Sequence, residues 1–472
     1  MSNRSQNNFV SRRCMLQSSA VGFGHLAMAA MLQKPGDVYA TDSLNAPPQH
    51  VTPRAKRVIF LFMKGGPSGI DTFDYKPKLQ ADDGKELPYD KPRVQFAATG
   101  ALLGSPWKFQ QHGESGIHVS ELFPHVAQRI DDICVLNSVH GTNAAHGGAA
   151  LKLHTGSDTF VRPSMGAWVN YGLGTENENM PGFLTICPTL AHGGVKNWGS
   201  AFLPAECQGV PLGVASKPSL DANVKFIENA KWSTEQQRQQ ISFVNSLNRQ
   251  HLELSGPASA LEARIHSFEL AFKMQTEMPI AQDLSQETEA TKNLYGLDDS
   301  FTEDFGRQCL LARRFAERGV RFIQVTHSDT NVQWDQHSNL IEGHNKNARE
   351  VDKPIAGLLT DLKQRGLLDE TLVLWGGEFG RTPVAQGKNG RDHNPEGFTM
   401  WMAGGGVKTG IRYGATDEYG YYAEENKMHI HDLHATLLAL LGMEHERLTY
   451  RFAGRDFRLT DVAGKVHEGL IA

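Results

Sequence analysis

A chain of 472 residues that is 40% hydrophobic and 21% charged has ordinary globular composition and enough length to bury a large core. Its formal net charge of -5 excludes the basic surface excess that non-specific nucleic-acid binding needs, so DNA and RNA are not expected partners. Cys14, Cys134, Cys187, Cys207 and Cys309 are scattered without a C-x-x-C pair, which argues against a zinc ribbon or a dithiol motif and leaves room for one structural disulfide.

The chain begins with Arg4 and then Ser11-Arg12-Arg13-Cys14, a positive region ending in a twin-arginine pair and followed by a mildly apolar run over 18–32. That run holds Gly22, Gly24 and His25 and is shorter than the roughly 20 apolar residues that span a bilayer. Val38-Tyr39-Ala40 offers small residues for cleavage. Residues 1–40 therefore read as a twin-arginine signal peptide that hands a folded chain to the twin-arginine export machinery, with a periplasmic or extracellular destination. The plainer alternative is a tail that happens to hold two arginines. No later segment reads as a stable membrane span.

From Arg54 onward, short β-branched runs alternate with helical patterns, which predicts an α/β layer fold. Strands are expected at 58–63, 133–139, 183–186, 320–326, 372–375 and 398–403. Their apolar character is continuous rather than alternating, so both faces should be buried in a mostly parallel sheet sandwiched by helices, with a ligand site beyond the strand C-termini. Residues 41–472 form this α/β unit, interrupted by a helical insertion at about 233–300. The insertion contains helices at 235–254 and 260–278, separated by Ser255-Gly256-Pro257.

Chemistry-bearing residues follow the strands. The first strand breaks into Lys64-Gly65-Gly66-Pro67-Ser68-Gly69 and then Asp71 and Asp74, carboxylates that either hold a hard cation or merely cap a turn. After the second strand comes His140-Gly141-Thr142-Asn143-Ala144-Ala145-His146, opening a small-residue helix. A helix N-terminus there offers N–H groups to an anion, with Thr142, His140 and His146 around it, unless the small residues only allow close packing. Next come Thr326-His327-Ser328-Asp329 and Trp334-Asp335-Gln336-His337, ahead of a helix over 340–364. Asp335 and His337 have the ligand chemistry of a divalent metal site, since carboxylate and imidazole suit Zn, Mn or Fe. The strand over 372–375 delivers Glu378, with Arg381 behind it to pair with an anion or with Glu378 itself. Gly390-Arg391-Asp392-His393 supplies a further ligand, His393. In His429-Ile430-His431-Asp432, Asp432 is the expected cap of the last helix.

The segments Gly-Gly-Pro-Ser-Gly-Ile-Asp-Thr-Phe-Asp at 65–74, Gly-Glu-Phe-Gly-Arg-Thr-Pro at 377–383 and Arg-Asp-His-Asn-Pro at 391–395 resemble a bacterial secreted family known as domain of unknown function 1501. Thr416 to Gly420 and Tyr450 to Asp456 resemble it too, so the likeness spans nearly the whole mature chain. It implies an alkaline phosphatase-like fold of the kind found in sulfatases and metal-dependent phosphomutases. It further implies a divalent ion, Zn, Mn, Ca or Fe, held by Asp71, Asp335, His337, Glu378 and His393, with Thr142, His146 and Arg381 around the reacting group. The sequence departs from that superfamily where Glu378 stands in place of an Asp-His pair, and the sulfatase signature C-x-P-S-R is absent from the corresponding stretch at 144–156. The expected activity is hydrolysis of phosphate or sulfate esters of a small molecule or polysaccharide. The alternative is a non-catalytic binding or cell-surface protein with a degenerate metal site.

Overall fold

A computed structural model describes residues 50–90, 98–225, 227, 229, 231–255, 259–328 and 333–472; the twin-arginine segment and Asp329 lie outside the described residues. The strands that matter here are β1 (Arg57–Met63), β2 (Ile133–His140), β3 (Phe183–Ile186), β4 (Val210–Leu212), β5 (Phe322–His327), β6 (Thr371–Gly376), β7 (Gly380–Gln386), β8 (Gly390–Asn394), β9 (Phe398–Ala403), β10 (Ile411–Tyr413) and β11 (Met428–His429). All six apolar runs of the sequence enter one sheet of order β10-β2-β9-β6-β1-β5-β3-β4, with β11 also beside β2. Pairing is parallel except at β9, which lies antiparallel between β2 and β6.

The continuous apolar pattern of β1 follows from its place at the middle of this sheet. Val58, Phe60 and Phe62 enter one core and Ile59, Leu61 and Met63 the other, so no position faces water. Helices α1 (His146–Thr155), α2 (Met165–Leu173) and α7 (Ile430–Leu440) cover the first face, where Leu153, Trp168 and Leu437 pack with Phe60. On the opposite face α5 (Glu303–Glu317) and α6 (Leu340–Gln364) bring Leu310, Phe315, Ile355 and Leu358 against Ile59 and Leu61. The result is an α/β fold with a mostly parallel sheet sandwiched by helices. The helix pair α3 (Thr234–Ser255) and α4 (Ser259–Gln282) is tied to the α5 side through Met274 and Met278.

Two local expectations change. The cap of α7 is the His429 side chain, which accepts the His431 N–H at 3.2 Å, while Asp432 reciprocates by accepting the His429 N–H at 2.9 Å. Cys134, Cys187, Cys207 and Cys309 are buried free thiols, so no disulfide forms among the described residues. No helix of the described residues is long and apolar enough to cross a membrane.

Beyond the C-terminal end of β6 the chain turns into an antiparallel ribbon, β7 and β8, extended by the short strand Thr99–Leu102. The ribbon is polar in sequence yet buried along most of its length. It places Arg381 opposite His393 and folds both over the ends of β1 and β5.

Candidate metal centre

Four side chains from three chain segments meet at Asp335. Its Oδ1 lies 2.7 Å from Arg381 Nη2, 3.0 Å from His337 Nε2 and 3.1 Å from His393 Nε2, and its Oδ2 lies 3.2 Å from His146 Nε2. The backbone explains how Asp335 arrives there. Trp334 donates its N–H to Lys64 O at 3.0 Å, pressing the 334–335 segment onto Gly65 at the end of β1. Gly65 has φ 112°, and a Cβ there would come within 2.7 Å of Trp334 N and 2.8 Å of Asp335 N, so only glycine permits the approach.

Each imidazole is oriented from behind. His393 directs Nδ1 at Ala144 O, 2.6 Å away; a carbonyl only accepts, so the proton sits on Nδ1. Burial, only partly opposed by Asp335, pushes His393 down to about 4, so at neutral pH its Nε2 carries no proton and faces the Asp335 carboxylate with a lone pair. His146, the first residue of α1, directs Nδ1 at Glu378 Oε1, 2.7 Å away. Its Nε2 is buried and makes no aligned hydrogen bond, although Asp335 is within reach. Burial works against charge on His146, but Asp335 and Glu378 outweigh it and raise its pKa. Asp335 also raises that of His337. Asp335 itself is costly to bury, yet the three imidazoles and Arg381 hold it well below the usual carboxylate range. Phe379 lies 4.3 Å from the His393 ring and 4.8 Å from the His146 ring, walling both.

Two acceptors facing each other across 3.1 Å and an orphaned buried nitrogen at 3.2 Å form a donor set whose chemistry suits a cation. Ligand atoms held about 2 Å from one ion stand roughly 3 to 3.5 Å apart, so these spacings fit a divalent metal. The ligand atoms of His146, Asp335 and His393 all lie within 4.8 Å of one another, and those of His337, Asp392 and His393 make a second such set.

The sequence-derived candidates are thereby redistributed. Asp335, His337 and His393 lie together, and His146 joins them with its Nε2 turned toward Asp335. Glu378 is a partner of His146 and accepts the Gly65 N–H at 3.1 Å through both oxygens; burial raises its pKa, but His146 and Gly65 pull it below the ordinary value. Glu378 thus stands behind His146 and fixes its tautomer, outside the centre of the cluster. Arg381 is corrected outright. Its guanidinium bonds the carbonyls of Gly65, Gly66, Trp334 and Arg391 and pairs with Asp335, so each of its nitrogens is taken up by the protein's own groups and none is left for a ligand anion. Asp71 is corrected too: it pairs with Arg391 at 2.7 and 3.1 Å and accepts Ser68 Oγ at 2.5 Å, fully buried. Thr142 stands exposed in the loop before α1, outside this hydrogen-bonded network among the described residues. Sequence reasoning missed Asp392 as a candidate ligand. It also missed His192, whose ring stacks on His146 at 5.0 Å and 20°, although a histidine before two glycines in the loop after β3 repeats the signal used elsewhere.

No curated protein matches the chain. Among solved structures it is similar to the PsFucS1 sulfatase from Pseudoalteromonas sp., with 12% identity and a TM-score of 0.35 over 83% of this chain and 69% of that one. It is similar also to the lipoteichoic acid synthase LtaP from Listeria monocytogenes, at 9% identity and a TM-score of 0.35 over 88% and 76%. A third similar structure is a protein in the alkaline phosphatase superfamily from Vibrio parahaemolyticus, at 12% identity and a TM-score of 0.33 over 93% and 78%. The sequence model of the family described as protein of unknown function (DUF1501) matches residues 55–471, and the chain belongs to that family.

Proposed function

We propose that this chain is a metal-dependent hydrolase of phosphate or sulfate esters, acting on a small molecule or a polysaccharide after export. The observation that carries the reading is the convergence of His146, His337 and His393 on Asp335, with two imidazole tautomers fixed from behind and a buried nitrogen left over. His146, Asp335 and His393 would hold the ion, and His337 with Asp392 offers a neighbouring set. Held there, a divalent cation supplies positive charge against a developing oxyanion and makes water more acidic.

The chain's own residues prepare that site. Glu378 keeps the His146 proton on Nδ1 and Ala144 O keeps the His393 proton on Nδ1, so both Nε2 atoms point inward as donors of a lone pair. Arg381 neutralises part of the Asp335 charge and locks Gly65, Gly66 and Trp334 in place. A second reading, a metal-binding protein without turnover, is favoured by one feature: among the described residues, the network around Asp335 contains no hydroxyl or thiol side chain.

Elemental analysis of the purified mature protein beside Asp335→Ala and His393→Ala tests the first step. Stoichiometric metal that disappears in both folded variants, followed by turnover of phosphate or sulfate esters, supports the hydrolase. Metal without turnover selects the binding protein, and a folded, metal-free wild type refutes both. Export through the twin-arginine route is part of the proposal and predicts that replacing Arg12 and Arg13 with lysine retains the protein in the cytoplasmic fraction.

A further inference from the structure

With Arg381 committed to main-chain carbonyls, the site needs another group to meet the substrate's anion. The loop after β3 provides one. His192 has φ 50°, a left-handed conformation that costs a residue with a Cβ, and strain of this kind is tolerated where neighbouring structure enforces it. The enforcement is specific. Lys64, fully buried at the end of β1, donates Nζ to Ala191 O at 3.1 Å and reaches Thr189 Oγ1 at 3.4 Å. Asn197 donates Nδ2 to His192 O at 3.2 Å. The loop is thus fastened on both sides of His192, and the ring it carries stacks on His146 with centroids 5.0 Å apart.

The two nitrogens of His192 are not equivalent. Nδ1 is buried without a hydrogen-bond partner among the described residues, whereas Nε2 of this half-buried residue reaches solvent and accepts or donates no hydrogen bond among them. A buried N–H left unsatisfied costs more than a buried lone pair left unsatisfied, so the proton belongs on Nε2, the accessible nitrogen. A donor held by a strained, doubly fastened loop against the His146 ring has no partner among the described residues.

We propose that His192 is a substrate-binding residue that donates its Nε2–H to an oxygen of the tetrahedral phosphate or sulfate group at the His146 end of the cluster. The inference rests on the ester-hydrolase reading and assigns the contact that Arg381 cannot make.

The test is titration of inorganic phosphate and sulfate into the zinc-loaded protein, with metal content measured on the same samples. His192→Gly removes the ring while keeping the left-handed backbone without strain, and His192→Asn keeps both a donor and tolerance of positive φ. Loss of one hydrogen bond to a charged group predicts oxyanion affinity roughly ten- to hundredfold weaker in His192→Gly, with partial recovery in His192→Asn and unchanged metal content in both. A wild type that binds oxyanion and a His192→Gly variant that binds it equally well overturn the assignment while sparing the hydrolase reading. A metal-loaded wild type that binds neither oxyanion overturns both.

Discussion

Two carboxylates, Asp71 and Asp335, each follow the end of a central strand, Asp71 in the short helix Gly69–Thr72 and Asp335 in a turn, and both looked like ligands in the sequence. Asp71 is completely enclosed, and one guanidinium, Arg391, satisfies both of its oxygens. Asp335 keeps 19% of its side chain exposed and is ringed by three imidazoles whose outer nitrogens are already engaged at Glu378, Ala144 and Gln386. The difference is a count of protons. Around Asp71 each acceptor has a donor; around Asp335 the unprotonated His393 Nε2 faces a carboxylate oxygen and the buried His146 Nε2 makes no aligned hydrogen bond. A buried acid is therefore a ligand candidate only after its donors have been counted.

Substituting the two residues should break the molecule in different ways. The largest effect is expected from Asp335→Asn, which removes the shared carboxylate and should weaken metal binding by more than the roughly 10–100-fold typical of losing an outer partner. Elemental analysis and competition with a chelating dye would read this, and stoichiometric metal in Asp335→Asn would end the metal-centre reading. Asp71→Ala should leave metal content intact but strand Arg391 without a counter-charge, at a cost of about 3–5 kcal/mol in denaturant unfolding. A folded Asp71→Ala protein that loses its metal would erase the distinction between the two regions. Glu378→Gln lies between them: the His146 partner survives in weaker form, so metal affinity should fall by roughly 10–100-fold while stability changes less than in Asp71→Ala.

The same contrast shows what a sequence can carry. The central strands were legible because burial on both faces demands unbroken apolar runs, as in Val58 to Met63. The β7–β8 ribbon was not, because most of its buried side chains are polar, Arg381, Thr382, Arg391, Asp392, His393 and Asn394 among them, and their burial depends on partners that periodicity does not reveal. Asp335, His337 and His393 were recognisable as ligand chemistry after strands. The partners that decide the other roles are distant in sequence: Arg391 for Asp71, Gly65 and Trp334 for Arg381, and His146 for Glu378.

The smallest predicted effect is also the one most sensitive to proton count. His146 and His337 have folded pKa values above the ordinary one, so in metal-free protein their ion pairing with Asp335 is fully present below about 6.5 and is lost as pH rises through the folded values. Buried His154 and His393, pushed down to about 4, and His344 and His434, pushed down to about 3, act in the other direction below 6.5, because unfolding lets them take up protons. Stability of the metal-free protein should therefore peak near pH 6.5 and decline above it, with a slope bounded by about 1.4 kcal/mol per pH unit for each proton involved. Metal reverses the upper limb, since His146 and His337 must shed those protons to ligate, and metal-linked stability should rise from pH 6.5 to 8. Urea midpoints at three pH values, with zinc and with chelator, measure both limbs. Parallel curves would mean that Asp335 gathers its histidines as an ion-pair network like that of Asp71; curves that diverge toward pH 8, with zinc above chelator, would mean that it gathers them for a metal.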